Sequence, residues 1–168
     1  GLSGKFIFSD CGLVINPTED DLVEIVLESY DSFKKLLNEE PKIALLSYST
    51  LDDIKDENVI KLQNVVRRVK EINNNINIDG QLQLDAAIIE DVAKIKAPNS
   101  SVAGKANVLI FPNLESGNIA YKIAERFGNL TALGPITQGM DKPVNDLSRG
   151  CSVDDIVGVI AITCIQSM

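Results

Sequence analysis

Apolar positions along this chain come in short blocks, and their spacing alternates between that of strands and that of helices. Lys5-Phe6-Ile7-Phe8 and Gly12-Leu13-Val14-Ile15 are apolar runs separated by Asp10-Cys11-Gly12, which predicts a strand pair or a broken strand. Asn16-Pro17-Thr18-Glu19 is a helix start, with Thr18 suited to the N-cap and acids in the first turn. Leu22, Ile25, Val26, Ser29, Phe33, Leu36 and Leu37 then recur at helical spacing until Pro41. Lys42-Ile43-Ala44-Leu45-Leu46-Ser47-Tyr48 is continuously apolar at its centre, as in a strand covered on both faces.

Residues 58–73 predict a second helix, with Val59, Leu62, Val66 and Val69 on one face. A short strand follows at 76–80, a helix at 85–96, a small-residue loop at 98–105 and a buried strand at 106–111. A helix at 116–127 and a strand at 130–136 precede a loop rich in Gly, Asn and Pro at 137–150. The final helix spans 153–165. Its apolar residues Val153, Ile156, Val157, Val159, Ile160, Ile162 and Ile165 go nearly all round, so burial is expected, against this chain or another copy in a homodimer. Strands alternating with helices give an α/β layered fold with a mainly parallel sheet.

Composition narrows the function classes. The 168 residues suit one core, and 45% apolar with 24% charged residues is the balance of a soluble globular protein. A formal net charge of −8 argues against nucleic acid or an anionic membrane as partner, although a local basic cluster still admits small anions. No apolar run reaches the roughly 18 residues of a membrane span, and no signal-peptide pattern is present. Cys11, Cys151 and Cys164 lack any close spacing, which points to reduced thiols and a cytoplasmic setting. The absence of His removes imidazole acid–base chemistry, Ser-His-Asp triads and most zinc sites, and no carboxylate cluster calls for a metal. The start Gly1-Leu2-Ser3-Gly4 reads either as an added scar or as a cut site inside a longer protein.

Two segments carry candidate chemistry. Residues 103–122 read as a strand, a polar turn containing Gly117 and Asn118, and a helix; such turns lie where α/β sheets bind ligands, or else Ser116 or Asn118 simply caps the helix. Residues 139–156 form a long irregular loop that runs into a helix N-terminus. Free N–H groups there attract anions, and Arg149 adds a planar donor fork suited to phosphate. Ser152 and Asp155 have capping-box spacing, which needs no function, so both a cap and a site remain open.

The run Pro143-Val144-Asn145-Asp146-Leu147-Ser148-Arg149-Gly150, followed by Asp155-Ile156-Val157, resembles the C-terminal signature of phosphate acetyltransferases. Residues 103–111 and Gly117-Asn118-Ile119-Ala120-Tyr121-Lys122 resemble a second family stretch. Further similar segments are 46–50, 79–87 and 134–139, in the family's order and almost from end to end. Phosphate butyryltransferases share the fold but usually lack the Asn-Asp-Leu-Ser-Arg-Gly run, which favours the acetyl branch. The resemblance implies two α/β domains of the isocitrate/isopropylmalate dehydrogenase-like kind. Residues 1–134 would be the second domain. Residues 135–168 would be an active-site loop and helix returning to a first domain outside this chain.

The resemblance implies acetyl transfer between coenzyme A, which is a substrate and not a cofactor, and phosphate. Asp155 would be the base that takes the thiol proton, with a raised pKa from partial desolvation. Ser148 would hydrogen-bond the thiol or carbonyl. Arg149 would hold phosphate, with Asn145 and Gly150 also lining the substrate site. No metal is implied. The chain alone is expected to be inactive. The alternatives are a non-catalytic or regulatory module of the same fold and a phosphate butyryltransferase.

Overall fold

The structure is a computed structural model that describes residues 4–168. Four strands, β1 (Ile7–Ser9), β2 (Lys42–Leu46), β3 (Asn77–Leu82) and β4 (Val108–Ile110), form one sheet in the order β1-β4-β2-β3. Every pairing is parallel, with Ile7 opposite Val108, Ile43 opposite Val108 and Ile43 opposite Ile78. Six helices follow the same chain order: α1 (Glu19–Leu37), α2 (Glu57–Ile72), α3 (Leu84–Ile88), α4 (Glu90–Lys96), α5 (Leu114–Gly128) and α6 (Val153–Gln166). None of these helices is long and apolar enough to cross a membrane.

The two-residue period of β2 explains its continuous apolar run. Ile43 and Leu45 point to one face, where Leu22, Val26 and Phe33 of α1 and Leu62 and Val69 of α2 cover them. Ala44 and Leu46 point to the other, against Leu82, Ala87, Val102, Leu109 and Phe111. Both faces are dry, as a parallel sheet requires. Helix α1 starts where the sequence predicts: Thr18 Oγ accepts the Asp21 N–H at 3.2 Å and the Thr18 N–H donates to Asp21 Oδ2 at 2.8 Å. It stops at Asn38, which adopts a left-handed conformation (φ 53°), before Pro41 is reached.

Three expected elements differ. Residues 12–15 form no strand. The Asp10 carboxylate accepts the N–H groups of Gly12, Leu13 and Val14 at 2.7, 3.1 and 2.6 Å, so a side chain takes the donors a ladder would need. The helix expected at 85–96 breaks at Ile89 into α3 and α4. The carbonyls of Ala86 and Ala87 instead accept the N–H groups of Gly104 and Ala106, at 2.9 and 3.0 Å, which takes them out of a continuous helical ladder. Residues 130–136 join no sheet; Leu130 and Leu133 are partly exposed, and Pro135 has no N–H to offer a neighbour.

Helix α6 forms over the expected residues, but its burial in this chain is one-sided. Val159 is buried at 5% exposure, whereas Val153 is 74%, Val157 60% and Ile160 58% exposed. One face lies along α1, and Gly158 lets Leu133 approach closely, since a Cβ at Gly158 would meet Leu133 Cδ2 at 2.7 Å. The opposite face looks outward. Helix α5 presents a matching outward stripe of Ile119, Ile123 and Phe127.

Candidate active site

Polar loops gather beyond the carboxyl ends of the strands, the usual crevice of an open α/β sheet. The turn after β1 is held by Asp10. Helix α5 begins against it, capped by Asn113, whose Oδ1 accepts the Ser116 N–H at 2.9 Å. The cap is therefore neither Ser116 nor Asn118. Asn118 instead donates from Nδ2 to the Cys11 carbonyl at 3.1 Å and accepts from Lys122 Nζ at 2.6 Å. Gly117 permits this approach: a Cβ there would sit 2.3 Å from the Asp10 carbonyl oxygen. Burial, with the Asp10 carboxylate adding to it, pushes the Cys11 thiol up to about 12, so it stays protonated and unreactive near neutrality.

The loop at 137–150 starts at this same end of the sheet. Gln138 Nε2 donates to Ser9 Oγ at 3.3 Å and to Ser29 Oγ at 2.9 Å, joining the loop to the last residue of β1 and to the middle of α1. Gln138 lies within the 134–139 segment, but its sequence context did not foretell this bridge, because the partners of a side-chain amide are set by the fold. Gly139 follows with φ 74°, a conformation that glycine adopts without strain.

Farther along, the Cys151 N–H donates to the Ser148 carbonyl at 3.0 Å. Residues 148–151 thus make a turn with Arg149 and Gly150 at its exposed tip. Ser148 is exposed too, and its Oγ lies 3.4 Å from the Gly150 N–H. The turn delivers the chain to the N-terminus of α6. Asn145 differs from this exposed trio: it is half-buried, and its amide bonds to Thr137, Thr163 and Gln166.

Asp155 stands in a full capping box. Its Oδ2 accepts the Ser152 N–H at 2.7 Å and the Ser152 hydroxyl at 2.8 Å, while its own N–H donates to Ser152 Oγ at 3.2 Å. Those hydrogen bonds hold its carboxyl below the usual range, and Arg126 at the end of α5 acts in the same direction. A raised pKa was expected of this residue, and the direction in this chain is the reverse. The cause is local: a carboxylate at a helix N-terminus with two donors aimed at it is stabilised in its charged form. Ser148, Arg149 and Gly150 share one turn, and Asp155 lies in the first turn of the helix it leads into, bonded to Ser152. The start of α6 lies by the end of α5, whereas the Gly117–Asn118 turn lies at the beginning of α5.

An open parallel sheet flanked by helices, with polar turns at its carboxyl ends, defines an α/β protein. The chain belongs to the phosphate acetyl/butaryl transferase family, whose model matches residues 2–164. It is 52% identical over 167 residues to the phosphate acetyltransferase of Clostridium acetobutylicum, a match covering 99% of this chain and 50% of that protein. Its fold superposes with TM-score 0.90 on a phosphotransacetylase from Streptococcus pyogenes, at 46% identity over 96% of this chain and 49% of the other. A branched-chain phosphotransacylase from Enterococcus faecalis is more distant, with TM-score 0.77 and 29% identity over 95% of this chain and 58% of the other. The chain spans about half the length of the curated relatives it matches.

Proposed function

We propose that the polypeptide carrying this chain moves an acetyl group between coenzyme A and phosphate. The observation that carries this reading is the Ser148–Arg149 turn, exposed at the N-terminus of α6, within a chain half identical to a phosphate acetyltransferase along nearly its whole length. In the direction of acetyl-CoA formation, the sulfur of coenzyme A attacks the carbonyl carbon of acetyl phosphate. A carbon–sulfur bond forms, and the carbon–oxygen bond to phosphate breaks. The phosphate leaves with that bonding pair. The proton lost by the thiol passes to a base.

Arg149 holds the phosphoryl oxygens with its donor fork, assisted by the free N–H groups at the start of α6 and by the backbone at Gly150. Ser148 donates its hydroxyl hydrogen to the carbonyl oxygen as charge develops there. Asp155 is ionised and lies in the first turn of α6, just beyond this turn. In this role it takes the thiol proton. A surface closing over α6 would desolvate it and raise its proton affinity above that found in this chain. The outward apolar faces of α5 and α6 provide for such a covering surface, which the remaining half of a family-length polypeptide would supply. The same reading places the protein in the cytoplasm as a homodimer, with coenzyme A as substrate and no cofactor.

The test uses the complete translation product of the reading frame that contains this sequence. Coenzyme A thiol loss is followed on addition of acetyl phosphate or butyryl phosphate. Turnover of acetyl phosphate with release of one phosphate per thiol is expected. Inert acetyl phosphate beside fast butyryl phosphate would move the protein to the butyryl branch. No thiol loss with either would leave the fold as a non-catalytic module.

A further inference from the structure

The amide of Asn145 is fully occupied within the chain. Its Oδ1 accepts the Thr137 N–H at 2.8 Å and lies 3.4 Å from the Thr137 hydroxyl. Its Nδ2 donates to Thr163 Oγ1 at 2.9 Å and to Gln166 Oε1 at 2.7 Å. An asparagine amide has two N–H donors, and both are used. The ring closes because Gln166 Nε2 returns to the Thr137 carbonyl at 3.1 Å. The Thr163 hydroxyl donates to the Val159 carbonyl at 2.7 Å, which leaves its oxygen free to accept from Asn145.

Thr163 and Gln166 lie in the closing turns of α6, whereas Ser152 caps its start. The loop is therefore fixed at both ends of one helix. Eleven helical residues, from 152 to 163, advance about 16 Å along the axis. The seven residues from 145 to 152 reach at most about 25 Å. The segment bearing Ser148 and Arg149 must run back along α6 with limited slack.

We infer that Asn145, through Gln166 and Thr163, is a positioning residue that sets where Ser148 and Arg149 stand at the start of α6. It does not contact substrate, in contrast to the expectation from its motif. The inference rests on the reading of Ser148 and Arg149 as substrate-binding groups. Gln166 is the informative partner, because it sits at the other end of α6 from the turn and belongs to no motif.

The experiment compares Asn145→Ala, Gln166→Leu and the double variant in the complete translation product. Two readouts are taken: the rate of tryptic cleavage after Arg149, and kcat and KM for coenzyme A and acetyl phosphate. Each single variant is expected to raise the cleavage rate and lower kcat by about tenfold, with the double variant no worse than either, as for residues acting as one unit. Thr163→Val, close to isosteric, replaces Gln166→Leu if circular dichroism shows the latter to be unfolded.

Unchanged cleavage in both single variants would overturn the inference. So would a raised KM in Asn145→Ala beside a wholly unaltered Gln166→Leu, since that is the signature of a substrate contact. If the wild type turns over no acyl phosphate, the failure lies with the proposed function. The cleavage rates then decide the positioning question alone: acceleration in both variants supports the clamp, and its absence rejects it.

Discussion

Arg149 and Asp155 lie six residues apart at the same helix start, and their substitutions should behave differently. Arg149 sits at the exposed tip of a turn, so its chemistry and not its packing is what a substitution removes. Arg149→Lys keeps the charge but loses the bidentate fork. It should cost roughly tenfold to a hundredfold in kcat/KM for acetyl phosphate, equivalent to about 1.4–2.8 kcal/mol, with the melting temperature unchanged. Turnover at the wild-type level would make Arg149 a solvated loop residue.

Asp155 has a structural role already visible in its capping box, so two effects must be separated. Its folded pKa is depressed, so its contribution to stability is full above its unfolded value of roughly 3.9 and is lost as pH falls through the lower folded value. Asp155→Asn keeps a hydrogen-bond acceptor and loses the charge. Its small melting-temperature deficit near neutral pH should vanish in acid. Its turnover should fall by roughly 10²–10⁴-fold if it is the base. Ser152→Ala removes the cap, should cost about 0.5–2 kcal/mol, and should leave substantial activity. Full turnover in Asp155→Asn would reduce the carboxylate to its cap.

The meeting of elements is most sensitive where α5 starts against the turn after β1. An added Cβ at Gly117 would lie 2.3 Å from the Asp10 carbonyl oxygen and 3.1 Å from Cys11 Sγ. The obstacle is backbone, which yields little, so Gly117→Ala should destabilise the chain by about 1–3 kcal/mol in urea unfolding. Gly150 provides the contrast, since a Cβ there meets nothing within 4 Å. Gly150→Ala should change stability by less than about 0.5 kcal/mol. Any drop in turnover would then report substrate lying against that backbone. Equal stability losses at the two glycines would remove the distinction between a packing glycine and a site glycine.

Across the whole molecule, the sheet and α1 to α4 close a core of their own, while α5 and α6 turn apolar residues outward. Phe127 is 87% exposed, and with Ile119, Ile123, Val153, Val157 and Ile160 it adds apolar surface of a kind that marks contact sites when contiguous. The isolated 168-residue chain should therefore associate as its concentration rises in sedimentation velocity runs, and Phe127→Lys with Ile160→Lys should reduce this. It should also show little acetyl transfer compared with the complete translation product. A strictly monomeric chain at high micromolar concentration, fully active, would contradict both expectations.

Much of this architecture was legible because it depends on local order. The double-sided run of β2, the Thr18 cap and its helix, and the onset of α6 follow from side-chain period and capping chemistry, which neighbouring residues settle among themselves. Arg149 stood out for the same reason, on a loop leading into a helix start, whereas Ser148 and Asp155 entered the candidate set only through the family resemblance. What failed were the points at which distant groups compete for the same backbone. Asp10 took the donors of the 12–15 strand, and residues 104 and 106 took the carbonyls that would have continued the 85–96 helix. The direction of the Asp155 shift, the burial of only one face of α6 and the clamp from Asn145 to Gln166 likewise depend on which groups meet. Sequence fixes the valences of an amide or carboxylate, but only the folded chain decides which partners fill them.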